Sequence, residues 1–445
     1  MLRKAINFLR HLWAAEDLRN RILITAMLLV IYRIAAHVPV PGVNPEALRR
    51  LFQNQNSAFL GFLDLLSGGT LANFSVLAMG PYPYITAQII LQLLSPVIPG
   101  MADKQKEDPQ GYQRWMERWT YYLAVPMAAL QSLSQIGMYR VIGGVSVFQN
   151  FGWNLPSVAV VVTMTAGTMF AIWLGELISE YGLKNQGLSL IIFAGIVARI
   201  PTNFASMFAD AATRWQSLGV YGLVIVAVIF LIIIVQQGRR NIPVMYPGRR
   251  IGFRQAMPVR ANLPLMVNMA GMIPLIFAGT FISMPAVVAG WVVQVVPDVA
   301  NVINKAAQGV LLFMNGNNGG YWLVYFLLVV IFTFFYTDVQ FSQANFAENL
   351  RRSGAQIPGV TSGDATQKYL TKVMRRITFP GAFFLGFVAI LPFLVRMVVS
   401  YGSANNMLLV TSSGLLIVVG VVRELYFNLE AELKLRGYDE SLLVK

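Results

Sequence analysis

The chain has 445 residues, of which 56% are hydrophobic and only 12% are charged, and its formal net charge is +14. This composition excludes an ordinary soluble enzyme and is typical of a membrane protein with several spans. The sequence contains no cysteine, so disulfides, cysteine-metal sites and thiol catalysis are excluded.

Ten apolar segments bounded by charges or turn residues predict membrane-spanning helices. Around the fifth, only the 14 residues 185–198 are uncharged, a length that also fits a buried or re-entrant segment. The predicted spans are 22–38, 83–94, 119–139, 157–178, 187–199, 218–237, 267–289, 321–338, 377–395 and 407–422.

The segment 65–102 contains 38 residues without a charged side chain, and the sequence MGPYPY interrupts it at 79–84. Gly80, Pro81 and Pro83 cannot continue one straight helix, because proline lacks the amide hydrogen and clashes with the preceding turn. We therefore expect a short piece followed by a new helix from Pro83. Irregular backbone at membrane depth is tolerated only where protein or a water-filled cavity satisfies its polar groups. The segment thus predicts a central cavity.

Basic residues are distributed unequally between the two sides of the predicted membrane. With a cytoplasmic N-terminus, 26 of the 34 lysines and arginines lie on the cytoplasmic side, 7 lie outside, and Arg33 lies within the first span. Since basic residues accumulate in cytoplasmic loops, both termini are predicted to be cytoplasmic.

Ten spans divide into two halves of five, residues 22–200 and 201–424, with a cytoplasmic N-terminal segment at 1–21 and a tail at 425–445. An odd number of spans per half makes the second half enter from the opposite side, which is the topology of an inverted repeat. The predicted fold is therefore an all-α polytopic membrane protein, with ten transmembrane helices in two inverted halves around a central pore.

Two long cytoplasmic loops, 238–265 and 341–376, each contain six basic residues. Loops of this length usually have a function or are disordered. Attraction to anionic lipid is sufficient to explain any single arginine. Two such loops on one face instead predict a docking surface for a partner that carries RNA or acidic residues.

The predicted spans contain little that could perform catalysis or couple transport to ions. Such coupling needs ionisable groups at mid-membrane, whereas Arg33, Glu176 and Glu180 lie near span ends, where long side chains can reach the interface. The absence of a Gly-Lys dipeptide excludes a phosphate-binding P-loop. We expect no enzymatic activity, cofactor or metal.

Three classes remain open: a channel for a polymer, a secondary transporter with inverted repeats and broken helices, and a membrane scaffold that recruits a partner. An aliphatic constriction can exclude ions by dewetting and still admit a polymer. Polar residues near the break predict weak hydrogen bonds along a seam between helices; they are Thr86, Gln88, Gln92, Gln131 and Asn268.

Several motifs in chain order resemble the SecY family of protein-conducting channels. They include YRIAAHVPVPG from Tyr32, SGGTLANFSVLAMGPYPYITAQIILQLL from Ser67, LPLMVNMAGMIPLIFAG from Leu263 and ENLRRSGAQIPG from Glu348. The likeness runs from about Asp17 to the C-terminus. It implies translocation of unfolded secretory polypeptides across the bacterial plasma membrane and lateral release of transmembrane segments into lipid.

The resemblance also implies the site residues. A plug at about 65–74 would include Leu65, Leu66, Gly68, Gly69, Leu71 and Phe74. An aliphatic pore ring would comprise Ile85, Leu188, Ile192, Ile276 and Ile417, and its sixth position falls on Pro81. A lateral gate would open between the second and third spans on one side and the seventh and eighth on the other, with Thr86, Gln92, Gln131 and Asn268.

The partners, too, are implied by the resemblance. In the family the two long cytoplasmic loops bind the ribosome or the SecA motor. Thr361 stands where the family typically has an arginine. SecE is implied as a clamp around the halves and SecG as a peripheral subunit, together with signal peptides, nascent chains and lipid, but no DNA. The docking residues would be Arg239, Arg240, Arg249, Arg250, Arg351, Arg352, Lys368, Arg375 and Arg376.

Overall fold

The structure is a computed structural model, and it describes residues 13, 15–42, 67, 70, 74–95, 98, 101, 108–143, 154–184, 186–209, 214–246, 250–251, 254–255, 259–295, 301–314, 319–344, 346–398 and 404–435. The elements of the first half are α1 (Glu16–Ala35), α2 (Tyr82–Leu94), α3 (Pro109–Gly143), α4 (Leu155–Tyr181) and α5 (Gly187–Ala209). The second half contains α6 (Arg214–Gln237), β1 (Arg239–Tyr246), β2 (Arg250–Ile251), β3 (Arg254–Gln255), β4 (Val259–Met266), α7 (Ile273–Val295), α8 (Val302–Met314), α9 (Gly319–Ala344), α10 (Phe346–Arg352), α11 (Asp364–Val398) and α12 (Ala404–Leu435).

Each of the ten predicted spans falls on one of these helices, namely α1 to α7, α9, α11 and α12. By length and composition, α4, α7, α9 and α11 each contain a stretch able to cross a membrane. The helices agree with the predicted helical membrane fold, and the number of ten crossings stays a prediction.

The seventh span begins later than its hydropathy predicts. The apolar pattern starts at 267, whereas α7 starts at Ile273. Gly271 has φ +64°, a conformation that glycine adopts without the steric cost other residues incur. The Asn268 side-chain amide donates a hydrogen bond to the Gly271 carbonyl at 3.0 Å. The chain therefore turns between β4 and α7 before the helix can start.

The first long loop contains β-strands, which the all-α prediction did not include. Strands β1 and β4 pair antiparallel, with Arg239 opposite Met266, and β2 pairs with β3. Ile242 and Val244 are buried while Pro243 between them is exposed. This alternation with period two is the sequence signal of a half-buried strand.

The two halves meet along two lines. On one line α3 packs along α7, and α2 packs on α3; on the other, α5 packs on α12 and α6. The largest hydrophobic cluster joins the halves, since it combines Val160 and Met164 of α4 with Leu275 and Ile282 of α7. Candidate functional residues lie along this contact between the halves.

Candidate functional site

The predicted interruption of the uncharged segment is observed as a series of turns before α2, which begins at Tyr82. Gly80 has φ +50°, and a Cβ atom there would lie 2.6 Å from the Ser67 carbonyl oxygen. Phe74 also has a positive φ of 42°, which is rare for a residue with a side chain. The break is therefore a tightly packed turn that requires glycine at position 80.

Surrounding protein satisfies the polar backbone of these turns. The Val76 N–H donates to the Val38 carbonyl at 2.9 Å, and the Tyr32 hydroxyl donates to the Ser67 carbonyl at 2.9 Å. A Cβ atom on Gly167 of α4 would lie 1.9 Å from the Val76 carbonyl oxygen. Non-helical backbone is thus enclosed by α1 and α4, as irregular structure at membrane depth requires.

Of the six predicted plug residues, Phe74 is described, and Leu65, Leu66, Gly68, Gly69 and Leu71 lie outside the described residues. The Phe74 side chain is fully buried. It belongs to the cluster that contains Leu275 and Ile282 of α7. The end of the predicted plug therefore lies in the contact between the two halves.

Four of the five predicted ring residues come together. Ile192 of α5, Ile276 of α7 and Ile417 of α12 are 3%, 8% and 1% exposed. They share one hydrophobic cluster, and Ile85 of α2 packs against it. Helices from both halves thus contribute branched aliphatic side chains to one buried cluster.

The fifth residue, Leu188, lies elsewhere. It packs with Tyr84 and Ile172 in a different cluster, and its Cδ2 atom is 2.9 Å from where Gly175 of α4 would carry a Cβ atom. Pro81 precedes the first residue of α2 and is buried. The isoleucine cluster is therefore made without Leu188.

The predicted polar cluster is assembled in part. The Gln131 side-chain amide donates to the Thr86 hydroxyl at 3.2 Å, which joins α3 to α2. Asn268 bonds to Gly271 of its own segment, and Gln92 is half-buried. The Gln131 and Asn268 side-chain oxygens are buried without a hydrogen-bond partner among the described residues. A buried oxygen without a hydrogen-bond partner costs free energy, so these two side chains stabilise the structure less than fully bonded ones would.

Two hydrogen bonds between α7 and the first half were missed by sequence reasoning. The hydroxyls of Tyr82 on α2 and Ser283 on α7 are bonded to each other, and both side chains are buried. Ser283 donates to the Thr280 carbonyl at 2.6 Å, which leaves Tyr82 as the donor in the first bond. Ser134 of α3 donates to the Ala286 carbonyl at 3.5 Å.

Gly290 sets the distance between α3 and α7. A Cβ atom at this position would lie 2.5 Å from the Ser134 carbonyl oxygen. Small residues at such contacts let two membrane helices approach closely. We call the contact of α2 and α3 with α7 the seam; Tyr82, Ser134, Ser283 and Gly290 are its closest described contacts.

The two long loops form one folded body, which we call the hairpin unit: β1 to β4, α10 and the start of α11. Met245 and Gln356 exchange two backbone hydrogen bonds, at 2.8 and 2.9 Å. Side chains from both loops make one buried cluster, which includes Ile242, Val244, Leu265, Leu350, Ile357, Leu370 and Met374. The loops are therefore not independent flexible segments.

Most of the predicted docking residues are exposed on this unit. They are Arg239, Arg240, Arg351, Arg352, Lys368, Arg375 and Arg376. Thr361 is exposed as well. Arg249 and the side chain of Arg250, which begins β2, lie outside the described residues.

Some of these cations have partners already. Arg351 and Arg352 pair with Glu348 at 3.8 and 3.2 Å. Arg375 donates two hydrogen bonds to Asp338, at 3.3 and 3.0 Å, and this contact raises the pKa of the Arg375 guanidinium. Exposed ion pairs of this kind contribute only about 0–1 kcal/mol, so an acidic partner can compete for them.

Together these features define a polytopic helical membrane protein, in which an isoleucine cluster joins helices of the two halves and an exposed basic unit lies between helices of the second half. The chain belongs to the SecY family, whose profile matches residues 75–426. The helical membrane fold predicted from hydropathy and from the motifs is confirmed by this match and by the structural likeness described below, while the number of ten spans stays a prediction.

Similar proteins named protein translocase subunit SecY come from several bacteria. The relative from Halalkalibacterium halodurans is 38% identical over 96% of this chain and 97% of its own length. Those from Streptomyces scabiei and Haemophilus influenzae are 35% and 33% identical over 96% of this chain and 97% and 94% of their own lengths.

The fold is similar to solved channel structures. A protein-conducting channel superposes with a TM-score of 0.63 at 18% identity, covering 93% of this chain and 92% of that one. Sec61 from the canine ribosome-channel complex of the endoplasmic reticulum superposes with a TM-score of 0.59 at 17% identity over the same shares.

Proposed function

We propose that this chain is the pore-forming subunit of a protein-conducting channel, which passes unfolded secretory polypeptides out across the plasma membrane and releases apolar segments into lipid. Membership of the SecY family supports this function. The observation that carries it is the isoleucine cluster between the two halves, which lies beside a seam held by few hydrogen bonds. An aliphatic constriction excludes ions when closed and can admit a polymer.

Ile85, Ile192, Ile276 and Ile417 form the ring that seals the closed pore in this proposal. Branched aliphatic side chains suit a seal because they pack tightly around a chain of any sequence without offering it hydrogen bonds. Phe74 ends the plug, which blocks the pore from outside and must leave the contact between the halves when a polypeptide enters. The plug residues before Phe74 keep the role that the resemblance implies.

The seam is the lateral gate. Hydrogen bonds between membrane helices contribute about 0.6 kcal/mol each on average, so the two bonds found among the described residues of α7 and the α2–α3 pair contribute only weakly to holding the gate closed. A signal helix that contacts the open seam better than the closed one shifts the population toward the open state. The bound helix then offers an apolar surface to lipid.

The hairpin unit is the docking surface for the ribosome and the SecA motor. Its exposed arginines suit partners with phosphate or carboxylate groups, because guanidinium forms paired hydrogen bonds with both. The solved Sec61 structure with a similar fold is part of a ribosome-channel complex. SecE and SecG are the proposed membrane subunits. Both termini of the chain are cytoplasmic in this proposal. The motor, and not this chain, catalyses covalent chemistry.

A secondary transporter remains the alternative class. Substrate and ion sites of such transporters need coordinating groups at mid-membrane, whereas the helices that meet here present isoleucines. Family membership also favours the channel.

The test is photocrosslinking from positions 192, 276 and 417 to a stalled secretory chain, with position 226 as a control. Val226 on α6 is 68% exposed and is expected to face lipid. Adducts from the first three positions that depend on a functional signal peptide, and none from 226, support the pore. Transport of a small solute in vesicles without any such adduct contradicts it.

A further inference from the structure

Helix α8 has no counterpart among the ten predicted spans, although it is 13 residues long. It follows α7 at the end of that helix remote from the hairpin unit, and it contacts both α7 and α3. One face of α8 is buried against these helices, through Asn304, Ala307, Leu311 and Met314. Ala307, Leu311 and Met314 share a cluster with Ile136 of α3 and Val293 of α7.

The opposite face of α8 is exposed and apolar. Val302, Ile303 and Leu312 are 79%, 59% and 58% exposed, and Ala306 and Gly309 between them are exposed too. Lys305 is the one charged residue in the sequence of the helix. Such a face is unfavourable in water, because burying one large apolar side chain in an apolar environment is favourable by about 1.5–3 kcal/mol.

We propose that this face of α8 is a lipid contact, with Val302, Ile303 and Leu312 among the acyl chains of the leaflet remote from the hairpin unit. Lys305 then extends toward the phosphate groups of the same leaflet, as lysine does at a membrane interface. The composition of α8 resembles that of a helix that lies in the membrane–water interface with one apolar face in the lipid. In α8 the other face packs on α3 and α7.

The exposed apolar residues of the next helix in the chain favour lipid over a protein partner. Helix α9 starts shortly after α8, and it exposes Leu323 and Leu327 one turn apart, with Ile331 a further turn along. These residues lie within a predicted span, where lipid is the expected neighbour. Three side chains of α8 also form a patch too small for a stable protein interface, which buries about 800 Å² on each partner.

Spin labels can test this contact without background, since the chain contains no cysteine. Single variants Val302→Cys, Leu312→Cys and Lys305→Cys of the full chain are labelled with a nitroxide in vesicles of phosphatidylethanolamine and phosphatidylglycerol. Accessibility to dissolved oxygen reports lipid, and accessibility to a water-soluble nickel chelate reports water. Val226→Cys on α6 is the lipid reference, and the exposed Ser353, changed to cysteine, is the water reference.

We expect labels at 302 and 312 to resemble the label at 226, with an oxygen-to-nickel accessibility ratio several-fold above that at 353. The label at 305 should lie between the two references. A ratio at 302 and 312 equal to that at 353 would place the face in water and overturn the proposal. Exclusion from both reagents would overturn it as well, because protein would then cover the face. The spin-label measurement does not require translocation, so its result does not decide whether the proposed channel function is correct.

Discussion

The hydroxyl of Tyr82 illustrates how one buried atom connects the two halves. Removing it by Tyr82→Phe keeps the ring in the core but deletes the bond to Ser283. At about 0.6 kcal/mol per interhelical bond, the closed state should lose roughly threefold in population relative to the open state. We expect a secretory protein with a defective signal peptide to be exported more efficiently, measured as the exported fraction of an enzyme reporter.

Matched variants separate this effect from a general loss of packing. Tyr122→Phe removes the hydroxyl of an exposed tyrosine on α3 and should leave export unchanged. Ser283→Ala should also increase export of the protein with the defective signal peptide, because it removes the partner on α7 of the buried Tyr82 hydroxyl. In a double-mutant cycle the two changes should be non-additive; full additivity would contradict a bond between them.

Gly290 provides a second residue-scale prediction. In Gly290→Ala the new methyl group collides with the Ser134 carbonyl, and overpacking of this kind costs typically 1–3 kcal/mol. The variant should export the same defective substrate more efficiently and melt at a lower temperature. Gly222→Ala on α6 is the control, since a Cβ atom there has no neighbour within 4 Å; alanine should stabilise that helix slightly. Equal behaviour of the two variants would exclude the close approach at the seam.

Sequence reasoning reached some of these residues and not others, for a physical reason. Ile276 and Ile417 were assigned to a ring through the resemblance to a family, and the structure adds that they share one buried cluster. Tyr82 could not be predicted, since it stands in an apolar run where an aromatic side chain is unremarkable, and its partner lies 201 residues away in the sequence. Gly290 carries no signal until the neighbouring helix is known.

At the scale of elements, the hairpin unit should fail as a whole when its core is damaged. Ile242 of β1 is buried in a cluster that both long loops share, and truncation of a buried isoleucine to alanine costs about 2–5 kcal/mol. Ile242→Ala should therefore weaken ribosome binding and expose both loops to protease, although no arginine has been changed. Binding is measured by cosedimentation with ribosomes.

The neighbouring exposed residue provides the control. Asn241→Ala, on the outward side of the same strand, should bind ribosomes as the unchanged chain does. Protease cleavage confined to the first loop in Ile242→Ala would show that the loops fold independently, contrary to the shared cluster.

Hydropathy predicted some helices and strands better than others. Helix α4 is one uninterrupted apolar run in the sequence, and the predicted span 157–178 lies close to its observed bounds, Leu155–Tyr181. Helices α3, α11 and α12 extend well beyond their predicted spans, because their ends contain charged residues that hydropathy places outside a membrane. Strand β1 was not predicted, because its alternation is short and contains Pro243, a residue that weakens a strand prediction. The start of α7 was displaced because Val267 and Met269 are apolar in the sequence, while the turn at Gly271 depends on its backbone conformation.

For the molecule as a whole, separation of α3 from α7 is the movement that the proposed function requires. A Cβ atom at Gly290 would lie 2.7 Å from the Ser134 hydroxyl oxygen, so once this overpacked contact has relaxed slightly, two cysteines at these positions are within reach of a disulfide. A chain with both Ser134→Cys and Gly290→Cys should translocate when reduced and stop when oxidised, while it still binds ribosomes. Reduction should restore transport. Undiminished transport by the fully oxidised chain would mean that polypeptides pass without parting this seam.

The chain connects the hairpin unit directly to helices of the second half. Its strands connect α6 to α7, and its helical part connects α9 to α11, all of which belong to the second half. In the proposed function, a partner docked on this unit therefore pulls first on the second half, through the chain connections to α6, α7, α9 and α11. Because α7 also forms one side of the seam, we expect a force applied at the docked surface to reach the seam through α7, without any covalent step in the membrane.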